Sequence, residues 1–244
     1  LSFFGSAEYS YNQKYFLSAS VRSDGSSRFH PDHRWGNFWS VGGKWRVSGE
    51  EFLKDNSIIT NATLRASYGT VGNQDIDWYA ARGFYSSGYN YNEKPGMTPT
   101  SISNSDLTWE TSEQTNIGID ARFLDNRLSF TMDWYSKQTK DLLVEVGTNA
   151  ASGFATQYQN AGTVKNTGLE LSMGWRDQIG KEFKYGVNVN MAYNKNEVTE
   201  VNNANHFIEG GNDLLAQSTG RFVRMEEGHP IGYFYGYKTD GVIQ

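Results

Sequence analysis

One pattern limits what this chain can fold into more than any other: apolar and polar residues alternate with a period of two in segment after segment. Successive side chains of a strand point to opposite faces, so such a segment reads as a half-buried strand rather than a helix. The apolar register runs Phe3, Ala7, Tyr9, Tyr11, then Tyr15, Leu17, Ala19, Val21, then Trp35, Trp39, Val41, Trp45. It continues through Ala62, Leu64, Ala66, Tyr68 and through Leu107, Trp109, Ile117, Ile119, Ala121, Phe123. Leu128 to Trp134, Leu169 to Trp175 and Phe183 to Tyr193 complete it. The opposite register holds Arg22, Lys44, Arg65, Asp120, Asp133 and Glu170 among Ser, Asn, Thr and Gly. Glu113 is the one mid-strand charge on the apolar side. The pattern predicts antiparallel strands near 2–11, 15–24, 34–47, 61–71, 107–123, 128–138, 165–177 and 183–195. Trp35, Trp39, Trp109, Trp134, Leu171 and Val189 are expected on the outside of the sheet, and the six charges just named on the inside.

The connections alternate in length. Tyr11-Asn12-Gln13-Lys14, Asp125-Asn126 and Gln178-Ile179-Gly180-Lys181 are short, and Asp125-Asn126 suits a hairpin turn with positive φ. Residues 72–106, 141–163 and 198 onward form long connections, with 23–34 and 48–60 intermediate. Tight turns on one rim and long loops on the other is the construction of an outer-membrane barrel. The chain carries 26 Gly but only 4 Pro, which fits strands joined by tight turns.

A soluble β-sandwich also alternates. Its strands are commonly ~5–6 residues, whereas several here approach the ~9–11 that a membrane strand needs. The polar face is built mostly from small residues, where a solvated sandwich face would be rich in Lys and Glu. Aromatics gather at segment ends, as in an interfacial girdle: Tyr9, Tyr11 and Tyr15 flank one turn, and Trp45 and Trp175 lie near others. The all-β reading is therefore an antiparallel up-and-down transmembrane β-barrel segment. The alternative is a secreted or surface glycan-binding domain of lectin type. No apolar run nears the ~20 residues of a membrane helix, which says nothing against barrel strands. A net charge of −5 argues against a nucleic-acid partner, and with no cysteine there is no disulfide or thiolate ligand.

Several stretches resemble the SusC/RagA family of TonB-dependent outer-membrane transporters. Val21-Arg22-Ser23-Asp24-Gly25-Ser26-Ser27-Arg28-Phe29 is similar to that family's R-x-DGSSRF stretch. Arg34-Trp35-Gly36-Asn37-Phe38-Trp39-Ser40-Val41 is similar to its RWG-x-FPSV stretch, with Trp39 where the family usually has Pro. Leu64 to Gln74, Leu107-Thr108-Trp109-Glu110, Asn116 to Asp120, Asp133 to Leu143, Gly228 to Gly232 and Tyr235 to Val242 follow in family order. The resemblance implies a plugged barrel of about 22 strands. This chain would supply about eight of them in the later half, residues 1–244 throughout. Leu1-Ser2-Phe3 enters a strand directly and Gly241 to Gln244 does not close one, so the plug and closing strand are expected to lie elsewhere. An isolated set of eight strands should form an open sheet with two unpaired edges. The resemblance further implies import of glycans or peptides across the bacterial outer membrane, a SusD-like surface lipoprotein that lids the barrel, and contact with the TonB complex outside this chain.

No catalytic constellation is visible, and none of the patterns read here asks for a cofactor. His30-Pro31-Asp32-His33 and Asn73-Gln74-Asp75-Ile76-Asp77 lack the remaining ligands that zinc or calcium would require, so no metal is expected. Glu110 and Glu113, three apart on a strand, face opposite sides and make a poor acid–base pair. No phosphate-binding glycine loop and no G-x-S-x-G elbow occurs. Two loops are candidates for cargo. One holds Trp78, Tyr79, Phe84, Tyr85, Tyr89 and Tyr91 among Gly and Asn, rings and amides that suit sugars. Self-packing as a compact loop is the competing reading. The other, Asn205 to Arg224, carries His206, Asp213, Arg221 and Arg224, which suit hydroxyls or a carboxylate. The candidate contacts are Trp78, Tyr85, Tyr89, Tyr91, Arg221 and Arg224. The rings favour a glycan and the arginines an anionic or peptide cargo; the family resemblance inclines the reading to a glycan.

Overall fold

The computed structural model describes residues 1–54, 56–203, 205–210, 222–238 and 241. Its frame is one antiparallel sheet of eight long strands: β1 (Ser2–Tyr11), β2 (Tyr15–Gly25), β3 (Trp35–Trp45), β4 (Ile59–Asn73), β5 (Glu110–Phe123), β6 (Leu128–Lys140), β7 (Thr163–Ile179) and β8 (Phe183–Glu200). Spatial order follows chain order, and every neighbouring pair is antiparallel. β1 and β8 are the two edges of the sheet. The fold is thus the expected up-and-down segment, with strand ends within a few residues of the alternation.

Turn chemistry sets the pairing at one rim. Asn12 and Gln13 have φ of 50° and 54°, and Lys14 N–H bonds back to the Tyr11 carbonyl at 3.0 Å. Asp125 and Asn126 take positive φ as expected, and Leu124 joins them at 55°, so four residues separate the paired ends Phe123 and Leu128. Gly180, at φ 66°, turns β7 into β8.

Register sorts the two faces. On one, Ala66, Ile117, Trp134, Leu169 and Tyr193 stand opposite one another in a row across the sheet. Leu64, Ile119, Met132, Leu171 and Met191 form the next, and Ala62, Ala121, Phe130, Met173 and Val189 the one after. On β8 the apolar set runs from Phe183 to Tyr193. Ten residue steps at ~3.3 Å, with a tilt near 40°, give a band ~25 Å tall, the height of an outer-membrane barrel's lipid face. Rings mark its ends. Tyr15 stacks on Trp45 at 6.4 Å by the tight turns, and Phe3 stacks on Trp35 at 6.1 Å by the long loops.

β7 and β8, at 17 and 18 residues, outrun that band. Where they do, the same face turns ionic. The row Thr115, Ser136, Thr167, Lys195 is followed by Glu113, Gln138, Lys165, Glu197. Lys140 Nζ lies 2.8 Å from Glu113, and Lys195 Nζ 2.5 Å from Glu197. Glu113, the exception on the apolar register, is part of this belt.

The opposite face carries the row Lys44, Arg65, Gly118, Asp133, Glu170. Arg65 Nε donates to Asp120 at 2.6 Å, and its Nη2 reaches across to Asp133 at 3.0 Å. A Cβ on Gly118 would sit 2.3 Å from the Asp133 carboxylate and 2.9 Å from the guanidinium, so a larger residue would push the fork off its path across β5.

At the turn rim, Glu50 in the β3–β4 connection ties three elements together. It accepts from Tyr15 Oη at 2.6 Å, Trp45 Nε1 at 3.1 Å and Lys14 Nζ at 3.1 Å. Those donors, the Tyr15 hydroxyl first, hold its carboxyl down at about 2. A depressed carboxylate stabilises the fold above its ordinary pKa and loses that contribution as pH falls through the folded value. We expect hydrogen-exchange protection around residues 11–15 and 45–50, corrected for intrinsic rates, to fall between about pH 4.5 and 2. Glu50→Gln should be flat over that window; an equal slope in the variant would assign the effect elsewhere.

Candidate functional site

The long loops share one core at the rim away from the tight turns. Phe29, Phe38, Ile76, Ala81, Leu107 and Trp109 are buried together, with Leu143 and Tyr158 against them. Trp109 is 7 % exposed, lies 5.5 Å from both Phe29 and Phe38, and donates its indole N–H to the Arg34 carbonyl at 3.0 Å. The expectation that Trp109 lies on the outer face, in a strand starting at 107, is therefore corrected. β5 begins at Glu110, and the residues before it leave the alternation to fill the loop base. Gly36 and Gly72 make room, since a Cβ on either would collide with the Phe38 ring. The motif residues Phe29, Arg34, Gly36, Phe38, Leu107 and Trp109, scattered along the sequence, meet here.

Polar ties fix the loops on this base. Arg28 Nη1 donates to the carbonyls of Gln74 at 2.9 Å and Ile76 at 2.6 Å, and its guanidinium lies 4.8 Å over the Trp78 ring. Asn160 Nδ2 donates to the Thr108 and Asp141 carbonyls, and Asn104 Nδ2 to that of Tyr158. The 141–162 connection is itself a hairpin, Leu143–Gly147 paired with Thr156–Asn160.

Between the 74–109 loop and that hairpin lies a cleft of about 880 Å³. Trp78, Tyr79, Phe84 and Tyr89 line one side and Phe154, Gln157 and Tyr158 the other. Asp77, Arg82 and Glu145 bring charge to it. Burial, then the carboxylates of Glu145, Asp77 and Asp75, push the Tyr158 phenol above its ordinary range. Of the six expected contacts, Trp78 and Tyr89 are brought together here. Tyr85 sits on a short arm, Tyr85–Ser87 paired with Met97–Pro99, and Tyr91 beyond it; both rings are exposed and neither lines the cleft.

Arg224 stands apart, in a three-stranded sheet formed by Phe207–Gly210, Val223–Glu226 and Tyr233–Phe234. Its guanidinium is sandwiched between Phe207 at 4.0 Å and Tyr235 at 3.4 Å, and Nη2 meets Glu209 at 3.0 Å. Arg221 and Asp213 lie outside the described residues. The 141–162 side of the cleft, with Glu145 and Tyr158, was missed in the sequence; the alternation Leu143, Glu145 against Val144, Val146 is the short strand signal that marks it. Among the described residues no group of three or more metal-ligand side chains comes together.

Comparison with known proteins agrees with this architecture. Residues 1–223 match the family TonB dependent receptor-like, beta-barrel. TonB-dependent receptor P39 of Formosa agariphila is 37% identical over 97% of this chain and 22% of its own length. TonB-dependent receptor SusC of Bacteroides thetaiotaomicron is 33% identical over 98% of this chain and 25% of its own length. A solved structure of the RagAB peptide importer in its closed-closed state superposes with a TM-score of 0.84 at 31% identity, over 96% of this chain and 25% of that one. The chain thus spans about a quarter of the length of these relatives. With an open antiparallel wall, an apolar band of membrane height and loops on one rim, it belongs to the TonB-dependent receptor β-barrel family, among receptors of the SusC/RagA type.

Proposed function

We propose that this chain is the later part of the wall, with its outer loops, of a bacterial outer-membrane importer for oligosaccharides or peptides. Plug and closing strand belong to other parts of the same protein, as does the contact with TonB. A SusD-like lipoprotein covers the loop rim. The membrane-height band with its aromatic ends supports residence in the outer membrane, and the rim of long loops supports a partner on the outer side. The observation that carries the reading is the cleft between two loops, where Trp78, Tyr89 and Tyr158 offer ring faces beside amide and hydroxyl groups. Binding residues on loops held by a rigid scaffold is the ordinary division of labour. A free-standing glycan-binding domain has no use for a lipid-facing band, and the architecture disfavours it.

The test uses the complete receptor in detergent and measures binding of maltotetraose, tetralysine and tetraglutamate by calorimetry. At least one probe should bind. Trp78→Ala and Tyr89→Ala should each weaken it by about 1 kcal/mol beyond lost contact area, while Tyr85→Ala and Tyr91→Ala leave it unchanged. If the Trp78 and Tyr89 variants bind like the wild type, their rings only pack the loop.

A further inference from the structure

The cleft's charges say more than its rings. Asp77 stands next to Trp78, and Glu145 lies opposite Tyr158 in the hairpin ladder, so two carboxylates flank the aromatic lining from its two sides. Among the described residues neither has an ion-pair partner. Arg82 is the one cation in the described lining, and it rests 5.8 Å over the Tyr79 ring. Two carboxylates against one guanidinium leave the cleft net negative. Aromatic faces are also negative at their centres, and they attract an ammonium or guanidinium set against them. The loop already uses this combination once, where Arg28 lies 4.8 Å over Trp78 with Asp75 3.6 Å away.

Resting on the reading of the cleft as the cargo site, we propose that it selects by charge. It takes a peptide whose amine or guanidinium sits between Asp77 and Glu145 against the rings of Tyr89 and Tyr158, and it turns away an anionic chain. Desolvating an anionic group beside two carboxylates that no cation neutralises adds repulsion to the cost of burial, whereas a cation gains charge-assisted hydrogen bonds from both. This shifts the cargo expected from the rings alone, a glycan, toward a basic peptide. Arg224, which pointed toward an anionic cargo in the sequence, is held by Glu209 and two rings instead.

The same three probes test it. The wild-type receptor should bind tetralysine more tightly than maltotetraose, should not bind tetraglutamate, and should lose tetralysine affinity as salt rises. Asp77→Asn and Glu145→Gln keep side-chain shape, and each should weaken tetralysine about tenfold, the worth of one hydrogen bond to a charged group. Both should weaken tetralysine by a larger factor than maltotetraose, whose hydroxyls carry no charge for the carboxylates to meet. Tetraglutamate binding as well as tetralysine, or tetralysine binding that ignores both carboxylate variants, overturns the charge selection. If ring variants weaken binding while carboxylate variants do not, charge selection alone falls. If the ring variants also do nothing, the cleft is not the cargo site and both readings fall.

Discussion

Trp109→Ala is expected to cost about 3–5 kcal/mol, the range for emptying a buried tryptophan site. The loss is local. The ring fills the space between Phe29 and Phe38 at the base of three loops and is pinned by the Arg34 carbonyl, while the strands beneath are held by their own ladders. Hydrogen exchange in the complete receptor should show segments 26–34, 74–109 and 141–162 losing protection together, with the wall unchanged and assembly in the membrane intact. Trp109→Phe keeps most of the packing and gives up the N–H bond, so its cost should be near 1 kcal/mol. Loss of protection confined to 107–109, or spread through the strands, would contradict a shared loop base.

The second large effect concerns facing. Val189 lies in the middle of the apolar run on β8 and pairs with Met173, whereas its neighbour Asn188 pairs with Gly174 on the polar side. Val189→Arg should destabilise the assembled receptor by about 2–4 kcal/mol if it sits near the bilayer midplane. Asn188→Arg places the same charge toward the polar interior and should cost much less. Folding from urea into lipid vesicles, followed by the gel shift of the folded barrel, reads the two side by side. Equal effects would refute this facing, and a larger cost at Asn188 would reverse it.

The wall was legible because its rule is local. Period two, broken by Asn12-Gln13, Asp125-Asn126 and Gly180, determines strand, face and register with no knowledge of distant residues. The rule fails where the chain leaves the wall. Leu107 and Trp109 continue the alternation on paper, yet they turn away because Phe29 and Phe38, about 70 to 80 positions earlier, offer a buried site that the outer face does not. The cleft was half legible. Its ring-rich side stands out in the composition of residues 78–91. Its other side depends on a hairpin 50 to 80 residues later in the chain, brought close by Asn104, Asn160 and Gln157, and no periodicity encodes that docking. Tyr85 and Tyr91 look like Trp78 and Tyr89 in the sequence; Tyr85, Tyr89 and Tyr91 all ride on the short arm of residues 85–99, and of these Tyr89 alone lines the cleft.

The ionic belt above the apolar band has a mechanical consequence. Glu113, Lys140, Lys165, Lys195 and Glu197 face the same way as the lipid-contacting residues, one to three rows higher. A pull on the receptor from the tight-turn side would drag these charges toward hydrocarbon, at up to about 1 kcal/mol for each cation near the interface and 2–4 at the midplane. A push the other way would lift Tyr15, Trp45 and Phe183 off the opposite interface. The wall therefore resists load along the membrane normal in both directions. Work done on it from below would be spent on whatever moves inside rather than on shifting the wall itself.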